Sequence, residues 1–118
     1  AHIDLYRRFG ESFYGSAITE LWRPFLEELV DKMTRFSIGF EINTSPLRRG
    51  MTDTMPDERF IQALKDEGIE TVTIGSDAHI PSDVGGGIDE ALRIISQIGL
   101  PGPSVFRKRK PSVHRLFF

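Results

Sequence analysis

The chain has 118 residues, which is the length of one domain, 1–118. Hydrophobic residues make up 39% and charged residues 27%, a globular balance that argues against disorder. The formal net charge of -2 gives no reason to expect nucleic acid or an anionic membrane as partner. The absence of cysteine excludes disulfides and thiolate metal sites. Without a stretch approaching the roughly 20 apolar residues of a membrane span, or a signal peptide, we expect a cytoplasmic protein.

Periodicity and turn residues divide the chain into alternating elements. In chain order the pattern predicts a strand at 1–5, a loop through 9–15, a helix at 19–36, a strand at 37–43, a loop at 44–56, a helix at 57–67, a strand at 71–75, a helix at 84–98 and a short strand near 104–111. Such alternation indicates parallel strands joined by crossover helices, in an α/β layered or barrel fold.

Several boundaries rest on particular residues. Thr19 is the expected N-cap of the helix at 19–36, and Pro24 falls within its first turns. Pro56 suits the first turn of the next helix, which Gly68 ends. The charge run at 107–110 is interpreted as a solvated strand end.

In parallel α/β folds, functional side chains collect at the carboxyl ends of strands. After the strand at 71–75 come Asp77 and His79, which lie on the same side of an extended segment. A carboxylate oxygen and an imidazole nitrogen are normal ligands for Zn, Mn or Fe. The alternative is that Asp77 caps the next helix and His79 is a solvated loop residue.

The opening strand carries His2, which could be a further ligand from a neighbouring strand end, or an ordinary strand histidine. Arg7 and Arg8 follow it directly. A guanidinium presents a planar fork of donors that suits phosphate, although a surface arginine is the commoner case. Because the chain opens inside a predicted strand, we expect a missing upstream segment.

A third set of polar residues surrounds the strand at 37–43. Glu41 and Asn43 share one face of that strand near its end, and could line a pocket or support a metal-bound histidine. The alternative is a polar pair in a barrel interior. Arg48 or Arg49, in the loop that follows, could close over an anionic substrate.

The motifs resemble the C-terminal part of the PHP (polymerase and histidinol phosphatase) family over nearly the whole chain. GSDAH at 75–79 is similar to the family's last metal-binding motif, and AHIDLYRRFG at 1–10 to its earlier strand with a single metal-binding His. FEINTSPLRRG at 40–50 resembles a segment typical of the histidinol-phosphatase branch, and SVFRKRKP at 104–111 that branch's last strand.

The resemblance implies a distorted (β/α)7, TIM-like barrel with two or three metals (Zn, Mn or Fe) at its strand ends. It implies hydrolysis of a phosphomonoester, L-histidinol phosphate, in histidine biosynthesis. His2, Asp77 and His79 would be metal ligands. Arg8, or else Arg7, would grip the phosphate, while Glu41 and Asn43 would shape the pocket.

The chain departs from the family pattern, because the H-x-H motif and the further His and Glu ligands have no counterpart in it. We therefore expect an incomplete barrel, an open sheet of about four strands, and impaired or absent hydrolysis by the isolated chain. The expected partners are a small phosphorylated substrate and either a second copy or a complementing N-terminal half. Two other interpretations stay open: a PHP phosphoesterase acting on nucleotides or nucleic-acid ends, and a degenerate domain that only binds a partner.

Overall fold

The computed structural model describes residues 2–116. Its α-helices are α1 (Arg7–Tyr14), α2 (Leu26–Arg35), α3 (Ser45–Arg48), α4 (Glu58–Asp66) and α5 (Ile88–Ile98). Its strands are β1 (Phe40–Asn43), β2 (Val72–Gly75), β3 (Ser104–Arg107) and β4 (Lys110–Val113). Short 3-10 helices lie at Gly15–Ile18, Arg23–Phe25 and Pro81–Asp83. No helix among residues 2–116 is both long enough and apolar enough to cross a membrane.

The parallel sheet is smaller than the sequence predicts. Strands β1 and β2 pair in parallel, with Phe40 opposite Val72 and Asn43 opposite Gly75, and helices α3 and α4 make the crossover between them. Strands β3 and β4 form a separate antiparallel hairpin. The described part of the chain is therefore mixed α/β with one parallel pair, and it neither forms a four-stranded parallel sheet nor closes into a barrel.

The core lies between the parallel pair and the helices that pack on it. Trp22 stacks on Phe60 with ring centroids 4.5 Å apart. In α4 the prediction of inward side chains is confirmed, since Phe60, Ile61 and Leu64 are buried. In α5 the buried residues include Ile95 and Ile98, as predicted, but not Ile88 or Leu92, which are half-buried. The buried apolar residues are Trp22, Met33, Phe40, Ile42, Met55, Phe60, Ile61, Leu64, Ile69, Val72, Ala91, Ile94, Ile95, Ile98 and Leu100.

The predictions of an N-terminal strand at 1–5 and of a loop through 9–15 are wrong. Residues 3–6 form turns and lead into α1. His2 has a φ of 53°, which a strand does not allow, and the amide of Arg7 donates to the carbonyl of Asp4. Inside α1 the Arg7 side chain pairs with Glu11 one turn on, a spacing that favours helix. Residue 1 lies outside the described residues.

The observed helix boundaries differ from the predicted ones where proline or glycine restricts the backbone. The helix predicted at 19–36 begins as a 3-10 turn containing Pro24 and becomes α-helical only at Leu26, because proline has no amide hydrogen and clashes with the preceding turn in the interior of an α-helix. Thr19 is not its N-cap. The helix predicted at 84–98 begins at Ile88, since Gly85 and Gly87 have positive φ. The loop predicted at 44–56 includes the short helix α3.

Asp57 rather than Pro56 starts helix α4. Its carboxylate accepts from the amide of Phe60 at 2.9 Å, as an N-cap residue does. Gly68 follows the helix with a φ of 88°, in agreement with its predicted role at the end. The charge run at 107–110 is exposed and forms the turn of the β3–β4 hairpin, so that the final predicted strand is a pair of strands.

Candidate functional site

The candidate site lies at the carboxyl ends of the two parallel strands. Because Asn43 pairs with Gly75, the chain leaves β1 and β2 at the same edge of the sheet. Asp77 follows β2 by two residues, and His2, near the start of the chain, reaches the same edge. We call His2, Asn43, Asp77 and His79 the Asp77 cluster.

Asp77 is the centre of this cluster. His2 Nε2 lies 3.2 Å from Asp77 Oδ2, and His79 Nε2 lies 3.3 Å from Asp77 Oδ1. The Asp77 side chain is 25% exposed, His2 34% and His79 80%. The cluster is therefore open to solvent, with its most exposed member on the loop after β2.

Asn43 is the buried member of the cluster, and its orientation is fixed. Its Oδ1 accepts from the amide of Ser45 at 2.9 Å, which directs Nδ2 towards His2 Nε2, 2.9 Å away. A neutral Nε2 can accept from Asn43, whereas a protonated Nε2 can donate to Asp77. The two contacts are alternatives, so His2 is held between a donor and an acceptor.

The charge state of Asp77 follows from its neighbours. Partial desolvation raises its pKa, but hydrogen bonds from His2 and Asn43, together with the charges of His2 and His79, outweigh it and lower the pKa below the usual range. At neutral pH Asp77 is therefore an ionised carboxylate, which only accepts hydrogen bonds and can ligate a cation.

Two members of the cluster adopt a backbone conformation that is uncommon outside glycine. The φ angles of His2 and Asp77 are 53° and 50°, in the left-handed region. Residues in this region cost on the order of 1–3 kcal/mol and concentrate at functional sites, where surrounding contacts hold them. In this chain the contacts between His2 and Asp77 join residues 75 positions apart.

Glu41 reaches the same edge of the sheet through its carboxylate. A Cβ placed on Gly75 would lie 2.8 Å from Glu41 Oε2. Because Gly75 has no side chain, the Glu41 carboxylate can lie over β2 at this position, which precedes Asp77 by two residues. The sequence predicted that Glu41 and Asn43 share one face of β1 near its end, but it did not predict the approach of Glu41 to Gly75.

Of the arginines that the sequence proposed for phosphate binding, Arg7 has a different environment. Its side chain is 1% exposed and is hydrogen-bonded to Asp4, Glu11 and the carbonyl of Thr54. Asp53 lies 3.5 Å away. These contacts occupy every side of the guanidinium and give Arg7 a structural role.

Arg8 and Arg48 have more accessible side chains. Arg8 is exposed, with its guanidinium 5.0 Å from the centre of the Phe9 ring. Arg48 donates to the carbonyls of Ser76 and Asp77, at 2.8 and 3.3 Å. Arg48 thus contacts the backbone of the cluster, whereas no hydrogen bond joins Arg8 to it among the described residues.

The fit of a metal to the cluster is partial. Ligand atoms bound at about 2.0–2.2 Å to one ion lie roughly 3 Å apart, so the 3.2 Å between His2 Nε2 and Asp77 Oδ2 suits a pair of ligands. His79 contacts the other oxygen of Asp77. Across residues 2–116 no three His, Cys, Asp or Glu side chains group so as to hold a metal.

A groove of about 680 Å³ lies elsewhere and contains none of the predicted site residues. Its lining includes four carboxylates, from Glu20, Asp53, Asp57 and Glu58. A lining of that charge disfavours an anionic phosphate ester. We therefore keep the candidate site at the Asp77 cluster.

Sequence reasoning missed Thr44 and Asp83. Thr44 is buried, and its hydroxyl donates to the carbonyl of Gly86 at 2.5 Å. Asp83 lies 3.4 Å from Arg48 Nε. Thr44 lies in the segment 40–50 that the sequence analysis quoted, but no local pattern gives either residue its contact, since each acts across at least 35 positions of the chain.

The described part of the chain thus combines an α/β fold with a His, Asn and Asp cluster at the ends of parallel strands. No protein-family model matches the chain. It is 28% identical over 114 residues to a probable histidinol-phosphatase of Thermotoga maritima, a match that covers 96% of this chain and 46% of the relative. The chain spans about half the length of the curated relative that it matches. This similarity supports a histidinol-phosphatase-like relationship.

Proposed function

We propose that this chain is part of a metal-dependent phosphomonoester hydrolase of the histidinol-phosphatase type. The observation that carries the proposal is the contact between His2 and Asp77 at the ends of two parallel strands. The similarity to a probable histidinol-phosphatase along 96% of the chain adds the reaction class. L-Histidinol phosphate is the proposed substrate, and histidine biosynthesis the proposed role.

His2 and Asp77 are the proposed first pair of metal ligands, with His79 joining them after rotation of its exposed side chain. A bound divalent ion, Zn, Mn or Fe, supplies Lewis-acid polarisation of the phosphate and a nucleophile from water. Asn43 holds the imidazole of His2 in place, because its amide is itself fixed by Ser45. Glu41 borders the proposed pocket beside Gly75.

Arg8 is the proposed phosphate-binding arginine, since its guanidinium is exposed next to the segment that carries His2. Arg7 is not retained in this role because its side chain is buried among four acceptors. The cytoplasmic location stays a prediction from the sequence.

The proposed active form contains a second segment. The chain matches 46% of its relative, and the cluster offers fewer ligands than a two- or three-metal site requires. We propose that a complementing half, or else another copy of this chain, supplies the remaining ligands. The need for further ligands explains why the side chains of His2, Asp77 and His79 are 25–80% exposed in this chain.

The proposal can be tested with a chimera in which this chain replaces the matched segment of the Thermotoga maritima relative. We expect manganese- or zinc-dependent release of phosphate from histidinol phosphate, lost on Asp77→Ala. His114→Ala is the matched control, because His114 is an exposed histidine outside the cluster. A folded, metal-loaded chimera that leaves histidinol phosphate intact but cleaves a nucleotide would redirect the substrate assignment.

A second candidate is a binding domain without metal. The contact that favours it is the same His2–Asp77 pair, which can also be a hydrogen-bonded ion pair when the imidazole is protonated. In that case Asp77→Asn would preserve the fold and the chimera would stay inactive with every metal. Metal binding by the unmodified chain decides between the two candidates.

A further inference from the structure

Arg48 joins the two ends of the loop that carries Asp77 and His79. Its Nη1 donates to the carbonyl of Ser76 at 2.8 Å, and its Nη2 to the carbonyl of Asp77 at 3.3 Å. Its Nε lies 3.4 Å from Asp83 Oδ2, in the 3-10 helix where the loop turns back. All three guanidinium nitrogens therefore have partners in one loop.

The packing around Arg48 is consistent with these contacts. A Cβ on Gly86 would come within 3.4 Å of Arg48 Nη1, so glycine at this position leaves room for the guanidinium. Thr44, from the same segment as Arg48, holds the carbonyl of Gly86. The segment between β1 and α4 thus holds the loop at both ends, and the Arg48 side chain keeps only 26% of its surface exposed.

Such support suits Asp77, whose φ of 50° lies in the left-handed region, which is uncommon outside glycine although aspartate adopts it more readily than most residues. The carbonyl that accepts from Arg48 belongs to this same residue, and the carboxylate faces His2. We propose that Arg48 is a positioning residue, which holds Asp77 in its left-handed conformation against His2, and that it is not the phosphate ligand that its sequence context indicates.

Backbone order in the metal-free protein gives the first test. We expect 15N order parameters of about 0.85 for residues 76–78 in the unmodified chain, and below about 0.6 in Arg48→Gln. Arg48→Lys should be intermediate, because a single ammonium nitrogen cannot reproduce the three contacts that separate guanidinium nitrogens make with Ser76, Asp77 and Asp83. Arg49→Gln is the matched control and should change nothing. A loop that stays equally ordered in Arg48→Gln would overturn the proposal.

The second test separates positioning from phosphate binding, and it rests on the proposed function. Zinc is titrated into each variant by calorimetry, followed by inorganic phosphate. We expect Arg48→Gln to weaken zinc about 10- to 100-fold and to leave phosphate affinity of the zinc-loaded chain unchanged. Unchanged zinc affinity with lost phosphate binding would make Arg48 an anion ligand. If the unmodified chain binds no zinc, the proposed metal site fails, and the order parameters alone decide the role of Arg48.

Discussion

Replacing Arg7 by methionine tests whether this arginine supports the fold or binds substrate. Methionine keeps much of the side chain's length but removes the hydrogen bonds to Asp4, Glu11 and the Thr54 carbonyl. Asp4 is fully buried, and burial already raises its pKa to about 6 despite the guanidinium beside it. Without Arg7 this carboxyl group loses the only side-chain hydrogen bond that it receives among the described residues.

The expected cost follows from the burial of both groups. Breaking a buried ion pair by removing one partner costs about 3–5 kcal/mol, whereas domains are stable by only about 5–15 kcal/mol. We therefore expect Arg7→Met to lower the melting temperature by about 10–20 °C. The double variant Arg7→Met with Asp4→Leu should recover most of the loss, because an apolar pair of similar size removes the unpaired buried group.

Urea unfolding followed by tryptophan fluorescence measures this loss. Trp22 is the only tryptophan of the chain and stacks on Phe60 in the core, so its emission reports the core directly. Arg8→Met is the matched control, and we expect it to change the unfolding free energy by no more than about 0.5 kcal/mol. Equal stabilities for Arg7→Met and Arg8→Met would refute the structural role of Arg7.

Three further changes have defined outcomes. Asn43→Ala should cost about 1–3 kcal/mol in urea unfolding, since it leaves a buried amide of the following turn unpaired. Gly75→Ala should lower the unfolding free energy by about 1–3 kcal/mol, because the added methyl group meets the Glu41 carboxylate. Adding Glu41→Ala to this variant should recover most of the loss. No recovery would show that the methyl group clashes with a different residue. Burial raises the pKa of Asp57, so its contribution to stability falls as pH rises from about 3.8 through the raised pKa, and Asp57→Asn should remove that fall.

Sequence reasoning succeeded where local pattern decides the structure. The alternation around Phe40 and Ile42 and the β-branched run ending at Gly75 predicted the parallel pair that carries the site. The three- and four-residue spacing of Phe60, Ile61 and Leu64 predicted the buried face of α4. In these segments propensity, periodicity and packing agree, so local signals were sufficient.

Sequence reasoning failed where contacts between distant residues determine the backbone conformation. The segment at 1–5 reads as a strand, but Arg7 bonds to Thr54, 47 positions away, and Asp4 follows it into the interior. Two short runs read as one strand near 104–111, although the chain turns at Lys108 and Arg109, both with positive φ and neither a usual turn residue. Neither the N-terminal turn nor the hairpin turn could be predicted from the neighbouring residues in the sequence.

The candidate site lies between these two cases. The rule that side chains at the ends of parallel strands converge predicted a common location for Asn43 and Asp77. His2 joins them from a turn and not from the predicted strand, and its Nε2 lies 2.9 Å from Asn43 Nδ2 and 3.2 Å from Asp77 Oδ2. The rule did not predict which arginine would face the site, because guanidinium groups act over long reach. Metal binding by the cluster stays a prediction.

Elemental analysis of the purified chain, after equilibration with zinc or manganese, shows whether the Asp77 cluster binds a metal ion. We expect about one ion per chain, lost in Asp77→Ala and His2→Ala and retained in His114→Ala, with all variants folded. A folded chain that binds no ion at saturating metal, or that binds it equally in Asp77→Ala, would contradict a metal site at the Asp77 cluster.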